Sequence, residues 1–266
     1  MEKTIGFIGC GNMGRAMVKG IMKAQLVYQD QLIVSNLHPE KLQDLGSQYD
    51  FYISDNETVA QHADILILAV KPHLYKTVIN EIKDLTKPDV ILVDIARGIT
   101  IQDMVDMVGF ECKVVKAMPN TPALVSEGMS AISFGKGLSE EDQEEIIEIF
   151  ESFGKACVVE ERLMDAVTAL SGSSPAYVFL IIEAMADGAV RHGMPRQAAY
   201  QFAAQTLIGS AKLILETGKH PGECKDMVCS PGGTTIEAVA KLEEKGLRSA
   251  IIEAMDACVK KSKSMR

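Results

Sequence analysis

Phe7-Ile8-Gly9-Cys10-Gly11-Asn12-Met13-Gly14 follows directly on the apolar residues that begin at Ile5, and it opens a stretch with helical periodicity that runs to about residue 24. Three glycines in a G-x-G-x-x-G spacing permit a tight turn, a close approach of backbone to a pyrophosphate, and close packing of helix on strand. The helix start also presents N–H groups with no partner inside the helix, which suits an anion. By itself the motif is a weak signal. Its place in the first unit of an alternating strand and helix series, about 20 residues before the end of the second strand, is what gives it weight. The context predicts cofactor binding by Ile8, Gly9, Cys10, Gly11, Asn12, Met13 and Gly14.

Outward from that turn, strand-sized apolar runs at residues 4–8, 32–34, 65–70, 90–95 and 114–117 alternate with helical segments. This order implies parallel strands joined by helical crossovers. The nearly continuous apolar character of the runs at 65–70 and 90–93 is that of strands covered on both faces. The fold class is therefore α/β, an N-terminal doubly wound Rossmann sheet. From Ser139 the texture changes. Ser139 with Asp142 is suited to cap a helix through residue 153, and a short strand is expected near Val158. Pro175 fits the first turn of a helix ending near Gly193; Pro195 fits the start of the next, which Gly218 can terminate. The expected domains are residues 1–158, an NAD(P)-binding Rossmann domain, and an all-α part over 159–266.

The 266 residues carry 47% hydrophobic and 24% charged side chains and a formal net charge of -9. That is enough apolar material for a large core, and the acidic balance argues against nucleic acid or an anionic membrane surface as partner. Glycines and strand residues begin by Ile5, where a secretory leader would need a basic stretch and an apolar core. Apolar runs such as residues 177–182 are far shorter than the roughly 20 residues of a spanning helix. The expected location is the cytoplasm. Six cysteines, Cys10, Cys112, Cys157, Cys224, Cys229 and Cys258, form no CxxC pair, and the histidines form no HxH or HExxH arrangement, so no metal is expected.

Where an NAD-binding fold usually places an acid for the ribose 2′-hydroxyl, this chain has Ser35-Asn36-Leu37-His38, with no acid before Glu40. Ser35 and Asn36 as hydrogen-bond donors, with charge from His38 or Lys41, favour NADPH over NADH. Ala69-Val70-Lys71-Pro72 and Asp94-Ile95-Ala96-Arg97-Gly98 both stand at carboxyl ends of expected strands, where a doubly wound sheet takes its ligand. Met118-Pro119-Asn120-Thr121-Pro122 is a loop stiffened by two prolines, from which Asn120 is placed to meet the nicotinamide carboxamide or ribose.

Together with Leu170-Ser171-Gly172-Ser173-Ser174-Pro175-Ala176-Tyr177 and Ser230-Pro231-Gly232-Gly233-Thr234-Thr235, these motifs resemble the pyrroline-5-carboxylate reductase family over essentially the whole chain, five motifs in order. The resemblance implies NADPH-dependent (with NADH possible) delivery of hydride to a cyclic imine, giving proline. It also implies a homodimer, possibly built into a ring, with Thr235 near the ring nitrogen. The resemblance further implies that Ser230, Gly232, Gly233 and Thr234 hold the carboxylate, and that residues 159–266 serve substrate binding and dimerisation. By the same resemblance, Asn56 contacts the adenine-side ribose, and Ile95, Ala96 and Arg97 lie near the nicotinamide. The segments 171–174 and 230–235 are each expected to precede a helix and offer N–H groups and hydroxyls to the carboxylate, with Ser171 and Ser173 among the contacts. The chain departs from the family pattern in two places: Ser174 stands for a glycine, and Asp94 with Arg97 for small residues. Ser174 is expected to restrict positive φ, and Arg97 to place a cation beside cofactor or substrate. Alternative readings are a reductase of a related imino acid such as piperideine carboxylate, or a non-catalytic NADPH-binding regulator. A 3-hydroxyacid dehydrogenase is disfavoured, because residues 164–194 contain neither Lys nor Asn.

Overall fold

The computed structural model describes residues 1–264. Eight strands form one sheet: β1 (Ile5–Ile8), β2 (Leu32–Ser35), β3 (Tyr52–Ser54), β4 (Ile65–Leu68), β5 (Ile91–Asp94), β6 (Lys113–Met118), β7 (Gly128–Phe134) and β8 (Gly154–Val158), in the order β3-β2-β1-β4-β5-β6-β7-β8. All neighbours are parallel except β6 and β7. The crossover helices are α1 (Asn12–Lys23), α2 (Gln43–Tyr49), α3 (Asn56–His62), α4 (Tyr75–Ile82), α5 (Ile101–Val108) and α6 (Glu140–Glu151).

Strands β1, β2, β4 and β5 are buried throughout, as their apolar runs require when helices cover both faces. Two cores result. Phe7, Met17, Ile65, Val93, Phe150 and Phe153 belong to one, and Ile8, Leu66, Leu68, Tyr75, Ile79 and Val114 to the other. Strand order reverses between β1 and β4, and that switch point fixes where a ligand crevice can lie.

The expected strand at 65–70 ends at Leu68, and the one at 90–95 spans only Ile91–Asp94. Their last residues leave the sheet to form loops. Strands β3 and β7 carry weaker sequence signals. The edge strand β3 has only three residues, and β7 starts six residues after Pro122, where a loop is the simpler reading.

The chain divides into two compact units. One is Met1–Ser173 with residues 258–264; the other is Ser174–Ala257. The first also contains the short helix α7 (Met164–Val167) and a π-helical turn over Thr168–Gly172. The second consists of α8 (Ser174–Arg191), α9 (Arg196–Thr217), α10 (Pro221–Val228), α11 (Thr234–Glu244) and the first part of α12 (Leu247–Lys263). Gly218 closes α9 in the left-handed conformation, as its place in the sequence predicts.

A charged knot ties α6 to the sheet. Ser139 and Asp142 form the expected capping box, and the Asp142 carboxylate also takes Lys3 at 2.7 Å and Lys113 at 2.9 Å. Burial alone raises the carboxyl's pKa, but the hydrogen bonds from Lys3 and Lys113 outweigh it and hold Asp142 well below the usual carboxylate range. A carboxyl depressed in the folded state stabilises the fold above the pH where the unfolded chain's Asp titrates, about 4, and loses that contribution as pH falls toward its folded value. Asp142→Asn is expected to lower stability at pH 7 by about 1–3 kcal/mol and to flatten the loss of stability below about pH 4, read from urea unfolding across pH.

Candidate active site

At the end of β1 the chain turns through Gly9, whose N–H donates to the Ser35 carbonyl at 3.0 Å. Gly9 has φ +83°, and a Cβ there would lie 2.6 Å from Val70 Cγ1 and 2.9 Å from the Ala69 carbonyl oxygen. Only glycine satisfies both demands. The Ala69 N–H in turn donates to the Ile8 carbonyl at 2.8 Å, which joins the first turn to the exit of β4. Gly11 is the N-cap of α1, with no side chain capping the helix and nothing within 4 Å of its missing Cβ. The first N–H groups of α1 therefore have no capping side chain, and a pyrophosphate fits this helix start. Cys10 beside it is buried, which pushes its thiol up to about 12 and leaves it unreactive.

At the carboxyl end of β2, the polar side chains expected to meet a ribose are engaged within the protein. Ser35 is buried, and its hydroxyl donates to Asn56 Oδ1 at 2.6 Å. The Asn56 amide then donates to the Glu81 carboxylate at 3.1 and 3.2 Å, so a carboxylate does reach this region, from α4 instead of the loop after β2. Asn36 receives the Cys10 N–H at 3.3 Å and donates to the His38 carbonyl at 3.0 Å. Ser35 and Asn36 thus shape the crevice from within, because their polar groups are engaged inside the protein. His38 lies 3.3 Å from Glu40, and the Arg15 guanidinium donates to the Lys41 carbonyl. Sequence reading missed both Arg15 and Glu81, since neither lies in a recognised motif.

Across the switch point, Lys71 and Pro72 are exposed and Ala69 and Val70 partly so, with Lys71 and Pro72 starting a short helical turn. At the end of β5, Asp94 is wholly buried and pairs with Lys116 of β6 at 2.6 Å. The two residues face each other in the strand register. Asp94 Oδ1 accepts the Ala96 N–H at 2.7 Å, while the Lys116 ammonium donates to the Ala96 carbonyl. One ion pair therefore grips both polar groups of a single residue in the loop. Burial raises the Asp94 carboxyl, with Lys116 opposing it, and burial with the nearby Asp94 charge holds the Tyr75 hydroxyl well up and neutral. Tyr75 donates to the Leu68 carbonyl at 2.6 Å and so ties the end of β4 to α4. Asp94 is in this way an internal brace, whereas Ile95 is half-buried and Arg97 is exposed on the loop.

Asn120 is also an internal brace. Its amide donates to the Ser171 carbonyl and hydroxyl at 3.2 and 3.1 Å, and its oxygen accepts the Met129 N–H at 2.8 Å. This brings the 118–122 loop and the serine segment together. Ser173 receives a weak bond from the Cys258 thiol at 3.2 Å. The segment 171–174 leads into the helix that starts at Ser174, as expected, but its N–H groups are not all open. It continues α7 through the π-helical turn, with the Ser173 N–H donating to the Thr168 carbonyl at 2.8 Å, because the local sequence offers no breaker before Pro175. Ser174 opens α8 and is not among the residues with positive φ, so the side chain introduces no backbone strain.

In the second unit, Ser230-Pro231-Gly232-Gly233 forms a turn, with Gly232 at φ +67° and the Gly233 N–H donating to the Ser230 carbonyl at 3.0 Å. Gly233 is the N-cap of α11, which has no side-chain cap, and Thr234 and Thr235 are its first two residues. An uncapped helix start lined by hydroxyls is suited to a small carboxylate.

Residues 4–98 match the family described as NADP oxidoreductase, coenzyme F420-dependent, and residues 161–265 match the pyrroline-5-carboxylate reductase dimerisation family. The chain is 49% identical to the pyrroline-5-carboxylate reductase of Escherichia coli (strain K12) over 266 residues, which is 100% of this chain and 99% of that protein. A solved pyrroline-5-carboxylate reductase from Coxiella burnetii superposes with a TM-score of 0.94 at 33% identity, covering 100% of this chain and 99% of the other. The Plasmodium falciparum pyrroline carboxylate reductase solved with NADP bound gives 0.89 at 33% identity, covering 99% and 98%.

Removing one partner of the Asp94–Lys116 pair leaves a buried charge without its counterion. Lys116→Met is expected to lower stability by about 3–5 kcal/mol, and adding Asp94→Ser to recover much of that loss, both measured by thermal and urea unfolding.

Proposed function

We propose the following residue roles for a chain that belongs to the pyrroline-5-carboxylate reductase family. It is an NADP-dependent oxidoreductase that reduces 1-pyrroline-5-carboxylate to proline, and its dimerisation domain makes it a homo-oligomer. The full-length identity with the Escherichia coli reductase is the observation that carries the activity.

The turn at residues 9–14 holds the cofactor's pyrophosphate, and Asn56, fixed by Ser35 and Glu81, takes the adenine-side ribose. The loop of Ile95, Ala96 and Arg97, with Ala69, Val70, Lys71 and Pro72, lines the nicotinamide end. When bound, the reduced nicotinamide supplies the hydride that turns the substrate's C=N bond into C–N. The protein's own contribution is placement and charge. Ser230, Gly232, Gly233 and Thr234 hold the substrate carboxylate at the uncapped start of α11, and Thr235 hydrogen-bonds beside the ring nitrogen, keeping the imine protonated and electrophilic. Ser171 and Ser173 are further substrate contacts. Asn120 acts on the site by fixing Ser171.

The boundary near residue 158 is proposed as the functional one, because the dimerisation family's match begins at residue 161. Phe179, Leu180, Phe202, Ile208 and Leu215 expose large apolar side chains on α8 and α9. A second copy of the chain covers such surface in a homo-oligomer. The helical stretch Glu161–Arg191 has a mean hydropathy of 1.3 over its most apolar window and is long enough to cross a membrane. Its place at the start of the dimerisation match supports a subunit interface instead. A cytoplasmic location and assembly of the dimers into a larger ring belong to the same proposal.

NADPH oxidation followed by absorbance tests the reading. Saturable oxidation is expected with 1-pyrroline-5-carboxylate and slower oxidation with the six-membered piperideine carboxylate; no oxidation with either, despite cofactor binding, overturns the enzyme reading. Thr235→Ala is expected to lower kcat by about tenfold to a hundredfold with NADPH affinity nearly intact, as the loss of one hydrogen bond made in the transition state implies. Unchanged kcat removes Thr235 from the mechanism.

A further inference from the structure

We infer that Arg15 is the cation that recognises the cofactor's adenosine 2′-phosphate and so sets the preference for NADPH over NADH. The inference rests on residues 9–14 as the pyrophosphate turn. The 2′-phosphate of a dinucleotide seated there lies between that turn and the loop following β2. Arg15 is attached to both. Its backbone N–H donates to the Gly11 carbonyl at 2.9 Å within the first turn of α1, and its guanidinium donates to the carbonyl of Lys41 beyond β2.

The other groups expected to serve a phosphate are engaged elsewhere. The Ser35 hydroxyl is buried against Asn56, and the Asn36 amide is committed to the His38 carbonyl. His38 faces Glu40 at 3.3 Å, and the Glu81 carboxylate on the other side of the ribose is occupied by Asn56. Lys41 is exposed at the end of a flexible stem. A planar guanidinium with five donors, one of them used on a carbonyl, retains a face for two phosphate oxygens. Because that same bond pins the side chain, it loses little rotamer freedom on binding.

Calorimetric titration of the intact protein with adenosine 2′,5′-bisphosphate and with 5′-AMP tests this without turnover. The wild type is expected to bind the bisphosphate more tightly. Arg15→Gln should weaken bisphosphate binding by at least about tenfold while AMP binding holds, with Arg15→Lys recovering part of the loss. Lys41→Gln should shift it less. Thermal unfolding confirms that the variants fold. Equal losses for both ligands, no loss, or a larger effect from Lys41→Gln overturns the assignment of Arg15. If the wild type binds neither nucleotide, the cofactor reading of residues 9–14 fails with it.

Discussion

Everything at the proposed site hangs on the close approach between the turn after β1 and the exit of β4. Gly9 sits where a Cβ would strike Val70 and the Ala69 carbonyl, and the Ala69 N–H reaches back to Ile8. That contact brings the open start of α1 and the Ala69-Val70-Lys71-Pro72 loop to one crevice. It exists because the sheet reverses its strand order between β1 and β4, so neighbouring strands send their helices to opposite faces. A side chain at Gly9 would need both a left-handed backbone and a displaced β4.

Around that crevice, buried polar groups hold the loops still. Asp94 and Lys116 clamp Ala96, Tyr75 clamps Leu68, Ser35 orients Asn56, and Asn120 clamps Ser171. Each carries a desolvation cost that an apolar residue would avoid, and each is satisfied by a specific partner. A loop that keeps one shape lowers the ordering cost of cofactor binding.

Much of this was legible in the sequence, in uneven fashion. The glycine turn, the central strands and the helices opened or closed by Ser139, Pro175, Pro195 and Gly218 follow from local chemistry. Strand β7 did not, because its antiparallel pairing with β6 depends on a long-range contact with no local signature. Ser35 and Asn36 stand at the carboxyl end of β2, but a linear sequence does not show that Asn56 and Cys10 occupy their polar atoms. Glu81 and Arg15 arrive from helices whose periodicity marks them only as polar positions. The Asp94–Lys116 pair had a usable signal, a charged residue of each sign interrupting two adjacent apolar strands. The serine segment before Pro175 does lead into α8 at Ser174, but the π-helical turn ahead of it, which engages the Ser173 N–H, has no local sequence signature.

The crevice itself is tested most directly by amide hydrogen exchange on the full-length protein with and without NADP⁺. The account predicts added protection over residues 9–14, 36–41, 69–72 and 95–98, the loops at the carboxyl ends of β1, β2, β4 and β5. Exchange unchanged in all four loops at saturating cofactor, with protection confined to residues 174–257, would contradict it.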